Sequence, residues 1–260
     1  MDNKRTRQLK ALDQLLTIMD ELRDGCPWDR KQTFQTLRHL TIEETYELSE
    51  ALLENDLEAI KNELGDVLLH IIFYAKIGSE KDAFDIGDVA DAIAEKLIKR
   101  HPHIYGDVQV ADEEEVKRNW ENLKLKEGNK GVLSGVPKGL PSMVMASRMQ
   151  DKAAGIGFDW DSIDGVREKI IEELKEMEHE IEQNDKAKIE AELGDVFFSL
   201  VNYARFLGVN PDDALASTNK RFKTRFEAME KQAETEKLSL KTLTAEQWET
   251  LWKAAKKKVG

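Results

Sequence analysis

The chain has 260 residues, of which 40% are hydrophobic and 35% charged, and its formal net charge is −12. An acid excess of this size excludes a coat for nucleic acid, whose phosphates are held by Lys and Arg in surplus. A single cysteine, Cys26, excludes an intramolecular disulfide framework and a cysteine-built zinc site. With no apolar run of membrane-spanning length and no signal-peptide core, a cytoplasmic protein without a membrane partner is expected.

In chain order the apolar spacing is helical almost throughout. Leu9, Leu12, Leu15, Leu16, Met19 and Leu22 form one stripe, closed by Asp24-Gly25 and Pro27. A second helix is expected over Thr36 to Glu54, with a capping-box pattern at Thr41 to Glu44. A third covers Leu57 to Ile77 and stops at Gly78-Ser79; a fourth covers Asp85 to Lys99, and a fifth Asp112 to Lys126. Gly128 to Pro141 holds four Gly and two Pro and reads as a linker between residues 1–127 and 142–260. Beyond it the order repeats: a helix over Pro141 to Lys152, a turn at Gly155 to Asp161, and a helix from Ser162 to about Gln183. Further helices start at Asp185 and near Pro211, and Thr244 caps the last. Runs of alternating β-branched residues are missing. The expected fold is all-α, two tandem helical-bundle halves related by duplication.

One carboxylate pattern is written twice. Glu43-Glu44-x-x-Glu47 followed by Glu63-Leu64-Gly65-Asp66 recurs 129 residues later as Glu172-Glu173-x-x-Glu176 followed by Glu192-Leu193-Gly194-Asp195. Residues three or four apart share a helix face, so Glu44 and Glu47 point together, as do Glu63 and Asp66. A short connection at Asn55-Asp56 makes the two helices antiparallel neighbours. Up to four carboxylates then converge, and a hard cation is their natural neutraliser, Mg²⁺ or Mn²⁺, completed by substrate phosphates. A lone motif of this kind usually marks a solvated acidic face; recurrence of every acidic position at one offset argues for a site. Gly65 and Gly194 read either as close helix approach beside the metal or as simple packing residues.

EExxE followed by ExxD, twice, with Cys26-Pro27-Trp28-Asp29 near the start, Glu63-Leu64-Gly65-Asp66-Val67-Leu68, Gly157-Phe158-Asp159-Trp160 and His101-Pro102-His103, resembles the MazG family of the all-α NTP pyrophosphatase superfamily. The resemblance covers nearly the whole chain. It implies Mg²⁺-dependent hydrolysis of nucleoside triphosphates, ATP among them, to the monophosphate and pyrophosphate by a homodimer. It also implies metal binding in the second half by Glu173, Glu176, Glu192 and Asp195, with Lys169, Glu172, Lys188, Arg221, Arg225 and Trp252 facing the nucleotide. Glu172, beside the ligand pair, is the candidate for orienting or deprotonating the attacking water.

The halves differ. Shifted by 129, Lys169 and Lys188 fall on Leu40 and Ala59, so the first half keeps Glu44, Glu47, Glu63 and Asp66 and loses two cations. Arg38, Lys61, Lys99 and Arg100 are available to compensate. The second half is expected to be the main hydrolase; the first is weaker, structural or selective for another nucleotide. His70 reads as a support for the carboxylates or as a packed histidine, and Trp28 and Trp160 as base-stacking or core-closing residues. A di-iron bundle would need Glu-x-x-His twice, whereas only Glu176 to His179 offers it. A helical adaptor, docking through Glu43, Glu47, Glu50 and Glu54, is the non-enzymatic rival.

Overall fold

A computed structural model describes residues 3–113, 115, 116, 119, 120, 123 and 131–259, and among these there is no β-strand. The all-α expectation holds. The chain divides into two compact units, Met1–Val110 and Ala111–Gly260.

Unit 1 contains α1 (Asn3–Gly25), α2 (Phe34–Glu54), α3 (Leu57–Ser79), α4 (Ile86–Arg100) and the single turn α5 (Pro102–Tyr105). The start of α2 is set by Thr33 and Thr36, whose hydroxyls each accept the other's backbone N–H. This is the capping box of the helix, and Thr41 to Glu44 is not: Thr41 lies inside α2 and donates its hydroxyl to the Leu37 carbonyl. At the other end Asn55 adopts φ 55°, a left-handed conformation that a short amide side chain tolerates. Asp56 then accepts the N–H groups of Glu58 and Ala59 and begins α3. Two residues thus stop one helix and start the next, which leaves α2 and α3 antiparallel and in contact.

Met19, Leu37, Ile72, Phe73 and Ile77 bury together where α1, α2 and α3 meet, each worth roughly 1.5–3 kcal/mol when fully removed from water. Arg23 is buried at the edge of this core. Its Nε donates to Glu80 at 2.8 Å and its guanidinium lies 5.5 Å over the Phe73 ring. The hydrogen bond from Arg23 holds the Glu80 carboxyl below its ordinary range. The pair ties the end of α1 to the end of α3.

Unit 2 contains α6 (Ser142–Ala154), α7 (Ile163–Gln183), α8 (Lys186–Phe206), α9 (Pro211–Thr235) and α10 (Ala245–Val259). The turn between α7 and α8 repeats the first one at an offset of 129: Asn184 has φ 55°, and Asp185 accepts the Lys188 N–H. Ser162 precedes α7 but its side chain makes no capping bond. Asn210 caps α9 ahead of Pro211, and Thr244 caps α10 by exchanging bonds with Gln247. Met229, Ala233, Leu251 and Ala255 form the core between α9 and α10. Of the helix expected over 112–126, Glu113, Glu115, Val116, Asn119, Trp120 and Leu123 are helical; its remaining residues beyond Asp112 lie outside the described residues. So do 128–130 of the proposed linker, whose later part carries a short 3-10 turn, Val132–Gly135. Among the described residues no helix is long and apolar enough to cross a membrane.

Candidate metal and nucleotide site

Each helical hairpin brings three carboxylates together. Glu44 from α2 meets Glu63 and Asp66 from α3; Glu173 and Glu176 from α7 meet Glu192 from α8. In both trios one oxygen of each residue lies within 4.8 Å of the others. Glu47 and Asp195 stand outside these closest groups, although Glu47 still acts on Glu63 through charge and a hydrogen bond. The donors are all oxygen, the spacing suits a single ion, and the charge is unbalanced, so the residues fit Mg²⁺ or Mn²⁺.

The electrostatics carry the mark of that imbalance. The Glu44 carboxyl is raised above its ordinary value, chiefly by burial and then by Asp66, Glu47, Glu63 and Glu43. Glu63 is raised by burial, then by Glu47 and Asp66. Glu176 is raised by burial and by Glu173, with Lys169 pulling the other way. Carboxylates that crowd one another favour a proton or a cation between them.

The second trio has a counter-ion of its own. Lys169 Nζ lies 2.6 Å from Glu173 and 3.0 Å from Glu172, and donating to these two carboxylates raises the lysine's pKa, the bond to Glu173 most. Glu173 is only 5% exposed, a burial that an ionised carboxylate sustains when paired. In the first trio the matching position is Leu40, which packs against the unit 1 core instead. Lys61, two residues before Glu63 on α3, pairs with exposed Glu58.

The remaining predicted residues fall in two places. Lys188 reaches from α8 to Glu180 of α7 at 3.3 Å, one turn beyond Glu176 along the acidic stripe. Arg221 is exposed and donates to Ser217 and Thr218 of its own helix at 3.4 and 2.9 Å. Arg225 lies 5.9 Å over the Trp252 ring, which Phe222 approaches at 5.6 Å and Lys256 at 5.7 Å. These groups form an aromatic and cationic cluster between α9 and α10. His70 is buried, with Nδ1 2.8 Å from the Thr41 hydroxyl, and burial lowers its pKa; this is the packed histidine. At Gly65 and Gly194 a Cβ would meet nothing within 4 Å, so close helix approach within the chain does not account for either glycine.

Sequence reasoning missed a cavity of about 500 Å³ in unit 2, between α6, α8 and the turn before α7. Trp160 lines it, half-exposed, with Phe158, Phe198 and Gln150. At its edge Arg205 donates to both oxygens of Asp159. The Gly157-Phe158-Asp159-Trp160 motif marked one wall; Gln150 lies just before it in the chain, whereas Phe198, Asn202 and Arg205 come from α8 with no spacing to reveal them.

A profile for the MazG nucleotide pyrophosphohydrolase domain matches twice, over residues 32–105 and 162–229. The chain belongs to the MazG family. Each MazG match encloses one carboxylate trio, and the second also takes in Lys169, Lys188, Arg221 and Arg225 but not Trp252. Similarity extends along the chain. The nucleoside triphosphate pyrophosphohydrolase of Escherichia coli K12 is 38% identical over 258 residues, 96% of this chain and 98% of that protein. The nucleoside triphosphate pyrophosphohydrolase/pyrophosphatase MazG of Thermotoga maritima is 43% identical over 249 residues, covering 94% and 95%. The uncharacterized protein YabN of Bacillus subtilis is 44% identical over 246 residues, 92% of this chain but 50% of that protein.

Proposed function

We propose that this chain is a Mg²⁺-dependent nucleoside triphosphate pyrophosphohydrolase, converting NTP and water to NMP and pyrophosphate, with its main activity in unit 2. The observation that carries the reading is the Glu173–Glu176–Glu192 trio with Lys169 held against it. Names of the relatives in Escherichia coli and Thermotoga maritima agree with it. Mn²⁺ is the expected substitute for Mg²⁺.

Glu173, Glu176 and Glu192, with Asp195 three residues along α8, would hold the cation; Glu44, Glu47, Glu63 and Asp66 would form the corresponding set in unit 1. When bound, the cation neutralises phosphate charge and polarises the phosphoryl group. Water attacks the α-phosphorus, the new oxygen–phosphorus bond forms as the bond to the bridging α,β-oxygen breaks, and pyrophosphate leaves. Glu172 accepts the proton of that water at a carboxylate oxygen. Lys169, beside Glu173 and Glu172, supplies an ammonium to the phosphates, and Lys188 and Arg221 add positive charge where negative charge develops on the leaving group. Arg225 and Trp252 face the nucleotide from α9 and α10. The working unit is a homodimer in the cytoplasm, removing standard or non-standard (d)NTPs.

The test is a product assay on the full chain with a nucleotide panel, measuring pyrophosphate and orthophosphate together. Pyrophosphate alone, released only with a divalent cation, is expected. Orthophosphate as the first product, or turnover undiminished by a chelator, contradicts the reading.

A further inference from the structure

We infer that Glu180 is a positioning residue for the hydrolysis: it holds the Lys188 ammonium beside the carboxylates of unit 2, where the leaving pyrophosphate takes up its charge. The inference rests on the hydrolase reading for what the carboxylates bind.

The pair stands in step with two members of the trio. Glu180 is four residues beyond Glu176 on α7, and Lys188 is four residues before Glu192 on α8. Each lies one helical turn nearer the Asn184-Asp185 connection, on the face that carries its neighbouring carboxylate. Glu176, Glu192 and Glu180 line one recess of about 420 Å³ together with Lys175 and His179. Lys188 is thus held against a residue in the wall of the space beside the trio.

Burial gives the pair a direction. The Glu180 side chain is 14% exposed and that of Lys188 61%. Surrounding atoms fix the carboxylate, whereas the lysine stem is free in water, so Glu180 orients Lys188 and not the reverse. Glu180 Oε2 is 3.3 Å from Lys188 Nζ, in range for an ion pair but off line for a hydrogen bond, and it accepts none from the described residues. The ammonium carries three donors, and this contact fixes its place while leaving them to turn toward phosphate oxygens.

Holding the hairpin together does not explain the pair. A part-exposed ion pair adds little to stability, and unit 1 builds the same hairpin without one. Shifted by 129, Glu180 and Lys188 fall on Ala51 and Ala59. Both partners are gone there, along with Lys169, whose place is taken by Leu40, while every carboxylate of the repeated motif is kept. The cross-helix pair goes with the lysine that faces phosphate, not with the helical turn or the acidic motif.

The test is a double-mutant cycle on the full chain, read as pyrophosphate release from ATP with Mg²⁺. Lys188→Met should lower kcat about tenfold and Glu180→Gln about fivefold, with KM for ATP moving less than about twofold. The two changes together should be no slower than Lys188→Met alone, since Glu180 acts only through the lysine. Losses that multiply, or Glu180→Gln turnover that matches or exceeds the parent's, would overturn the inference. Fewer Mg²⁺ ions bound per chain in Glu180→Gln would make this residue a metal ligand, which also overturns it. Glu180→Ala combined with Lys188→Ala, the pair found in unit 1, should melt within about 2 °C of the parent; a larger fall marks a structural pair and sinks the proposal. A second arm needs no turnover. Calorimetry with Mg²⁺ and pyrophosphate should show affinity about fivefold weaker in Glu180→Gln, with no effect of that change once Lys188→Met is present; unchanged or tighter binding in Glu180→Gln is the contrary result. If the parent releases pyrophosphate from no triphosphate the hydrolase reading falls, and this arm alone then decides whether Glu180 places Lys188.

Discussion

The two carboxylate trios are built by the same hairpin, down to the left-handed Asn and the capping Asp that join their helices, yet they solve the problem of crowded charge differently. In unit 2 a lysine one turn before Glu173 holds that carboxylate in its buried place and engages Glu172 as well. In unit 1 the equivalent residue is Leu40, committed to the core, and the carboxyls of Glu44 and Glu63 rise toward holding a proton. A built-in cation offsets part of the crowding: Glu176 is raised as well, and Lys169 works against that rise. Without one, the trio depends wholly on what it binds.

The comparison breaks most sharply at Glu173. Glu173→Ala should lower Mg²⁺-dependent pyrophosphate release by a factor of about 1,000 or more, as expected when a group stabilising the transition state is lost, whereas Glu44→Ala should leave most of it. Steady-state assay of both variants decides which unit does the chemistry; equal losses would remove the assignment to unit 2. A smaller effect, about 100-fold in kcat, is expected for Glu172→Gln, with Mg²⁺ affinity by calorimetry unchanged. Turnover that does not fall excludes Glu172 as the base.

Lys169→Leu makes unit 2 resemble unit 1. A loss of roughly 10-fold in kcat/KM is expected from removing one charged contact to phosphate, together with a rise in the Glu176 pKa, visible as an upward shift of the acid limb of the pH–rate profile. The sign follows from Lys169 lowering that pKa now. The smallest effect concerns stability. Because the Glu44 pKa is raised in the fold, its ionisation opposes folding, and stability falls as pH rises through the folded-state value. Glu44→Gln should then raise the melting temperature by about 1–2 °C at pH 7 with chelator present. That advantage should shrink on acidification, as Glu44 takes up a proton, and reverse in Mg²⁺. A melting curve of Glu44→Gln that is lower than the parent's in chelator counts against the electrostatic account.

Much of this was legible before any coordinates because it is local. Helical spacing, the Asn-Asp turns and the repeated acidic motif lie within short windows, and Glu44 and Glu173 each reach their neighbours through a two-residue connection. Local patterns also misled. Thr41-x-x-Glu44 has the letters of a capping box but sits where the helix is already formed, and Thr33 with Thr36 serves instead. Gly65 and Gly194 suggested close approach where open space lies above both. The cavity was out of reach for another reason. Gln150 meets the carbonyl of Phe198 and Asp159 meets Arg205 across 48 and 46 residues, and neither contact follows a helical period.

The claim beneath both units is that their carboxylates are held together by a divalent cation. Isothermal titration of Mg²⁺ into the chelator-stripped full chain measures it most directly. Binding should be detected in the parent, be reduced by either Glu173→Ala or Glu44→Ala, and vanish when both are changed. Heat of binding that persists in the double variant, or none in the parent, would contradict the account.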